Sequence, residues 1–311
     1  MNIYNTMKTK SNTAFQIVGF ICLVYFYLGY LAPLRFWVYL GKLMGRLLYM
    51  IDSKHRRIAL SNLRFALGPE NTGRELRVIA RRSFEEFGMI AHEWSRLKYI
   101  KKEELFRLID VEGMEHLLAA RKKNPAVILF GAHFGNWEYT HLFYASTIHR
   151  LNFIVRAVDN PILEAARLNY NTAFGVNILY KQNGLRPAIK NLKNGEDLVI
   201  FVDQKVNMSE GIVVRFFDKT AATIPLVPAL SLKYNAPIVP MFIVRCEDRI
   251  RHRIIFLPEL ELNRDLPDQD QIIADGTQRQ NDVIESMIRK YPQQWLWLHR
   301  KWSRHYPEIY K

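Results

Sequence analysis

From residue 110 onward, short apolar runs alternate with amphipathic stretches, and this alternation most constrains what the chain can fold into. AVILFG (126–131), LNFIVR (151–156), DLVIFV (197–202), PIVPMFIV (237–244) and RIIFL (253–257) read as strands, and IVVRFF (212–217) as another. Helical patterns lie between them at 160–173, 184–194 and 226–235. Strands alternating with helices predict an α/β fold with a mostly parallel sheet flanked by helices. Upstream, residues 36–110 read as a helical lead-in. Leu76, Ile79, Phe84, Phe87, Ile90, Ala91 and Trp94 recur at three- and four-residue steps, while Arg81, Arg82, Glu85 and Glu86 fall on other, solvated faces. No linker rich in Gly, Pro or Ser interrupts the chain, so residues 36–311 are expected to form one domain, with its α/β core at 111–311.

The N-terminus reads differently. No charged residue occurs from Ala14 to Leu34. As a helix this stretch would be roughly 30 Å long, the thickness of a bilayer core. Residues 1–35 are therefore expected to anchor the chain in a membrane. Pro33 and the many Tyr residues also allow a helix lying in the interface, and a buried core helix is the plain alternative. A cleavable signal peptide fits poorly, because the run is long and no small-x-small site precedes a polar start. Lys8 and Lys10 precede the run; Arg35, Lys42, Arg46, Lys54, Arg56 and Arg57 follow it, which puts the main domain on the cytoplasmic side if the segment spans. The formal charge of +14 implies an acidic partner without choosing among nucleic acid, anionic lipid, phosphorylated substrate and acidic protein. Cys22 and Cys246 are far apart and share no ligand-like spacing, which argues against a disulfide scaffold or a cysteine zinc site.

The segment that carries chemistry is AVILFGAHFGNWEYTHL (126–142). A buried strand ends at Phe130 and Gly131, a tight turn holds His133, Gly135 and Asn136, and a helix starts with Asn136 as its N-cap. An imidazole at the carboxyl end of a strand stands where open α/β sheets bind ligands. Glu138, in the first turn of that helix, can reach back to the ring, fix its tautomer and stabilise the imidazolium, leaving the other nitrogen to take a proton from an attacking hydroxyl. Backbone N–H groups near Gly135 and Asn136 are the candidate oxyanion donors. No G-x-S-x-G elbow, Walker A loop or G-x-G-x-x-G is present, and His92-Glu93 is not followed by the second His of a zinc motif, so no metal is implied.

HFGNWE (133–138) resembles the H-x4-D/E motif of the bacterial lipid A biosynthesis acyltransferases that act late, on Kdo-lipid A. The likeness continues in RIALSNL (57–63), VRAVDNP (155–161), FVDQ with GIVVRFF (201–217), ATIPLVPALSLKYNAPIVP (222–240) and YPQQWLWLHRKW (291–302). It implies a glycerolipid-acyltransferase-like fold and O-acyl transfer from acyl carrier protein to a hydroxyl of a lipid A precursor, at the cytoplasmic side of the inner membrane. No other cofactor is implied. By motif position, His133 is the base, Glu138 its partner, and Arg156 and Asp203 are further active-site residues. Val227 and Asp218 depart from the pattern, since relatives often carry Gly at both, and bear on the shape of the acyl or acceptor pocket.

The remaining residues carry paired expectations. Arg156, at a strand end, would clamp a phosphate of the acceptor or of the pantetheine arm, or else make an ordinary ion pair. Asp203 would orient Arg156 or bind the acceptor, or else cap a turn. Asn160, before Pro161, reads as a helix cap. Trp295, Trp297 and Trp302 among His299, Arg300, Lys301 and Arg304 suit a membrane interface, single-stranded nucleic acid or core packing. Acyl transfer to a lysophospholipid or a phosphatidylinositol mannoside, and a non-enzymatic basic protein binding membrane or nucleic acid, are the rival functions. The His133–Glu138 constellation counts against the last, so no nucleic acid partner is expected.

Overall fold

The computed structural model describes residues 13–207 and 209–311. Helices α1 (Thr13–Leu31), α2 (Leu34–Ile51), α3 (Ser53–Leu67), α4 (Gly73–Arg96) and the short α5 (Lys102–Arg107) come first. Strands and helices then alternate: β1 (Ile109–Glu112), α6 (Met114–Lys123), β2 (Ile128–Gly131), α7 (Trp137–Thr147), β3 (Leu151–Val155), α8 (Pro161–Ala173), β4 (Val176–Tyr180), α9 (Leu185–Lys193) and β5 (Asp197–Phe201). A hairpin of β6 (Ile212–Phe216) and β7 (Lys219–Thr223) precedes α10 (Leu226–Tyr234), β8 (Ile238–Arg245), β9 (His252–Phe256) and the long α11 (Gln269–Lys290).

The main sheet has the order β1-β9-β8-β2-β5-β3-β4. Five strands, from β8 to β4, run parallel; β9 pairs antiparallel with β8 and parallel with β1. The mostly parallel sheet expected from the alternation is therefore observed. Its strands bury both faces. Ile128, Phe130, Leu198 and Ile200 join a core with α3, α4, α9, α10 and α11, while Val127, Leu129 and Val199 join one with α5, α6 and α7. The period of two is the reason one strand can feed two cores. Asn160 caps α8 as expected, accepting from the N–H groups of Ile162 and Leu163. Strands β1, β4 and β7 were not anticipated; KTAAT in β7 and IDVE in β1 offer too little apolar contrast. The β6–β7 turn explains one departure from the family pattern. Phe217 and Asp218 both have left-handed backbone, with φ of 54° and 55°. A hairpin turn of this kind favours Gly, and Asp is among the few other residues that tolerate it. The substitution at Asp218 is thus a backbone matter at an exposed turn.

The N-terminal region corrects an expectation. Among the described residues, no helix is long and apolar enough to cross a membrane. The apolar run breaks at Ala32 and Pro33 into α1 and α2, because proline cannot continue the ladder. One side of α1 packs on the domain: Tyr25 lies against Trp37 and His92, and buried Arg96 donates to the carbonyls of Gly29 and Ala32, which would otherwise end α1 unpaired. Helix α2 approaches α4 backbone to backbone, since a Cβ on Gly88 would stand 2.2 Å from the Gly41 carbonyl oxygen. The opposite faces of both helices leave large apolar side chains exposed, among them Phe20, Leu28, Leu31, Phe36, Tyr39, Met50 and Ile51. Lys8 and Lys10 lie outside the described residues.

Candidate active site

Strands β2 and β5 are neighbours in the sheet, with Gly131 opposite Phe201. The chain therefore leaves both strands side by side at their carboxyl ends, carrying His133 from one and Asp203 from the other. Asp203 Oδ1 is 2.8 Å from His133 Nδ1, and its Oδ2 accepts from the His133 backbone N–H at 3.0 Å and from the Trp295 indole N–H at 2.9 Å. Asp203 is fully buried. Burial pushes its carboxyl up, but His133 and then His299 and the Trp295 N–H outweigh that and hold it well below the usual carboxylate range. An ionised Asp203 assigns the Nδ1 proton to the histidine and leaves the Nε2 lone pair outward, where the Gln204 amide nitrogen sits at 3.1 Å.

The histidine loop is held from below. Phe134 forms an antiparallel bridge with Trp295, Gly135 N–H donates to the Gln294 carbonyl at 2.9 Å, and Leu296 N–H donates to the His133 carbonyl at 3.1 Å. Gly135 has φ +50°, and a Cβ there would lie 2.5 Å from the Ile243 carbonyl oxygen of β8, so only glycine lets the loop cross this strand. Asn136 occupies the N-cap of α7, but its side chain does not cap. Its amide donates to Glu93 at 2.9 Å, and its oxygen accepts from the Trp94 indole at 3.0 Å. Glu93 in turn receives both terminal nitrogens of Arg245, at 2.6 and 2.8 Å, while Arg245 Nε reaches Glu86 at 2.8 Å. Gln294 closes the network, accepting from Arg245 N–H and donating to the Arg245 carbonyl.

Several expectations change here. The ring partner assigned by spacing to Glu138 is Asp203, because the adjacency of β2 and β5 puts that carboxylate at Nδ1. Glu138 accepts instead from the Tyr170 hydroxyl at 2.9 Å, with His141 Nε2 at 3.5 Å. Burial raises the Glu138 carboxyl, yet His141 and Tyr170, with Arg167, bring it below its ordinary value, so it is ionised at neutral pH. The Gly135 N–H is committed to Gln294 and is no oxyanion donor. Arg156 does not pair with Asp203. It stands exposed after β3, 3.3 Å from equally exposed Asp159. Trp295, Trp297 and Trp302 are buried in the core, where Trp295 and Trp302 pack on Phe216, which removes them from any membrane interface. Trp295 as a donor to the carboxylate, Gln204 at Nε2 and the Glu93–Arg245 pair had no sequence signal, since each joins residues roughly 70 or more positions apart.

An imidazole oriented by a buried carboxylate thus stands at the carboxyl end of a parallel sheet, where open α/β folds bind their ligands. The chain belongs to the bacterial lipid A biosynthesis acyltransferase family, whose profile matches residues 6–304. It is 25% identical to the lipid A biosynthesis palmitoleoyltransferase of Escherichia coli K12 over 85% of this chain and 84% of that protein. It is 26% identical to the lauroyltransferase of the same organism, again over 85% and 84%. The myristoyltransferase is 24% identical over 83% of this chain and 77% of its own.

Two outcomes follow from this geometry. Asp203→Asn retains the shape but loses the charge that fixes the tautomer, so kcat should fall by about 10³–10⁴, as when such a partner is neutralised elsewhere. Trp295→Phe removes one hydrogen bond to the same charged oxygen and should lower kcat about 10- to 100-fold with little change in KM. Steady-state kinetics on both variants, beside thermal unfolding, checks this; an unimpaired Asp203→Asn enzyme would refute the pairing.

Acid stability tests the supporting network. Burial raises the Glu93 carboxyl, but Arg245 and His252 outweigh it and pull it down to about 2, from an ordinary 4.5. A carboxyl depressed in the folded state stabilises fully above its ordinary value and loses that stabilisation as pH falls through the folded one. The amount is on the order of 3 kcal/mol. Urea unfolding from pH 7 to pH 2.5 should show this loss below about pH 4.5 in the wild type. Glu93→Gln should be less stable at pH 7, by up to about 3–5 kcal/mol, because buried Arg245 loses its two-pronged carboxylate partner and keeps the single contact to Glu86. Its acid slope should also be shallower.

Proposed function

We propose that this protein transfers a fatty acyl chain from acyl carrier protein to a hydroxyl of a lipid A precursor, with His133 as general base. The observation that carries the reading is the His133–Asp203 pair at the joint carboxyl ends of β2 and β5, in a chain matched by the family over nearly its whole length. The acceptor hydroxyl replaces the Gln204 amide at His133 Nε2 and gives up its proton there. Its oxygen forms a bond to the thioester carbon, and the carbonyl becomes an oxyanion. The first-turn N–H groups of α7, which Asn136 does not cap, are the donors best suited to that charge. Collapse of the intermediate breaks the C–S bond, and the leaving thiolate takes the proton from the imidazolium. Asp203 stabilises that imidazolium, and Glu138, ionised on α7, adds a second negative charge that favours it. Arg156 exchanges a weak exposed pair with Asp159 for an anionic group of substrate. No covalent acyl-enzyme is required.

The reading includes attachment to the inner membrane from the cytoplasmic side. The exposed apolar faces of α1 and α2 exceed the scattered exposure expected of a soluble surface, and Arg35, Lys42 and Arg46 border them. Such a helix pair suits the interface of an anionic bilayer, its apolar side chains below the headgroups and its cations among them.

Mass spectrometry of products formed from acyl-loaded carrier protein and a lipid A precursor tests the reaction. His133→Ala should lower kcat by about 10²–10⁴. The double variant with Asp203→Asn should lose little more, since the two residues act as a unit. Near-wild-type turnover without His133 would end the proposal. Attachment is tested by flotation with anionic vesicles. The exposed pair Phe36→Glu and Met50→Glu should leave thermal unfolding unchanged and weaken binding at least about tenfold; undiminished flotation would remove α2 from the contact.

A further inference from the structure

Gln204 belongs to two features at once. Its amide nitrogen stands 3.1 Å from His133 Nε2, and its side chain lines an open cavity of about 490 Å³ whose other walls include Lys205, His299, Arg300, Ser303 and Tyr310. That volume falls in the range of small-molecule sites. Two cationic residues line it, and among the described residues no carboxylate does.

The wall bearing Arg300 is built rather than incidental. The guanidinium lies over the ring of Tyr310, 5.6 Å from its centroid. Tyr310 is itself buried; its hydroxyl donates to Asn62 of α3 and accepts from the Trp302 N–H. The Asn62 amide also donates to the carbonyls of Trp297 and His299, each at 2.7 Å. Helix α3 thus fixes the segment that carries both His299 and Arg300. Stacking on a fixed aromatic ring pre-organises the planar fork of an arginine while leaving its N–H groups to a ligand, so little ordering cost remains when an anion arrives. Behind this wall Lys301 is buried, its ammonium 3.4 Å from the carbonyls of Gln204 and Ala222. Burial pulls it down to about 8, which leaves it mostly charged at neutral pH and adds to the positive potential of the cavity. Burial also lowers His299, to about 4, so the cavity's fixed positive charge comes from Lys205, Arg300 and Lys301.

We infer that this cavity is the subsite for a phosphate group of the acceptor, held by Arg300 and Lys205 so that the acceptor hydroxyl reaches His133 Nε2 in place of the Gln204 amide. The inference rests on the acyl-transfer reading for the identity of the acceptor. The cavity adjoins, through Gln204, the nitrogen that receives the hydroxyl proton, and this assigns it to the acceptor and not to the phosphodiester of the donor's pantetheine arm.

The test uses the full chain carrying Lys205→Ala and Arg300→Ala, both exposed positions. With a phosphorylated acceptor, the variant's acceptor KM should rise about 10- to 100-fold, the worth of charge-assisted hydrogen bonds to a phosphate. Its donor KM should not move. Phosphatase treatment of the acceptor should raise the wild-type KM in the same way, and the substitutions should then add no further increase. Inorganic pyrophosphate binding, measured by calorimetry without any turnover, should be weaker in the variant and at higher salt. Turnover with an unaltered acceptor KM, or a rise confined to the donor KM, overturns the subsite while leaving acyl transfer standing. Pyrophosphate binding that depends on Arg300 in a protein without transferase activity keeps the anion site and overturns the reaction. Absence of both binding and turnover overturns both.

Discussion

The pairing of Arg245 with Glu93 is the constraint on which the rest of the site depends. Both side chains are about 1% exposed, and the two-pronged contact joins the end of β8 to α4. Such a pair is not by itself a source of great stability, because two desolvated charges roughly repay one another. Its consequence is geometric. The Glu93 oxygen that takes one prong of Arg245 also accepts from Asn136, and Arg245 offers its backbone to Gln294, so the same pair fixes the start of α7 and the strand-like segment that lies across the histidine loop. Removing either charge would leave the other buried and would release two supports of that loop together.

Above this floor, Asp203 gathers three N–H groups, two from His133 and one from Trp295. A buried carboxylate so satisfied stays ionised and does not rotate. The imidazole it holds is therefore fixed in position, tautomer and orientation, as the general-base role proposed for it requires. Glu138 stands in a different network, with Tyr170 and His141. Of the two carboxylates, only Asp203 contacts the imidazole.

The first two helices connect the site to its setting. Glycines at the α2–α4 crossing bring the backbones into contact, which seats α2 on the helix that carries Glu86 and Glu93. The outward faces of α1 and α2 are left apolar, so this exposed apolar surface is mounted on the same helix that supports the histidine loop.

Much of this was legible in the sequence. Alternating strands and helices determined a mostly parallel sheet, because each apolar run could be buried only between helical layers. The strand, turn and helix around His133 determined that an imidazole would stand at a strand's carboxyl end. Asn160 before Pro161 determined a capped helix start, since that chemistry is local. Tertiary structure alone decided which carboxylate meets the ring. Glu138 is five residues from His133 and Asp203 is 70, and only the adjacency of β2 and β5 brings the distant one to Nδ1. The tryptophans of the C-terminal segment were likewise ambiguous, because an aromatic and basic stretch is equally suited to a core, a membrane or a nucleic acid. The fold turned their rings inward and left Arg300 facing the cavity. Whether the apolar N-terminal run forms one long helix or two shorter ones was not encoded in its hydropathy either. It turned on Pro33 breaking the run and on Trp37, His92 and Arg96 claiming one side of α1, contacts that a reading of local sequence cannot contain.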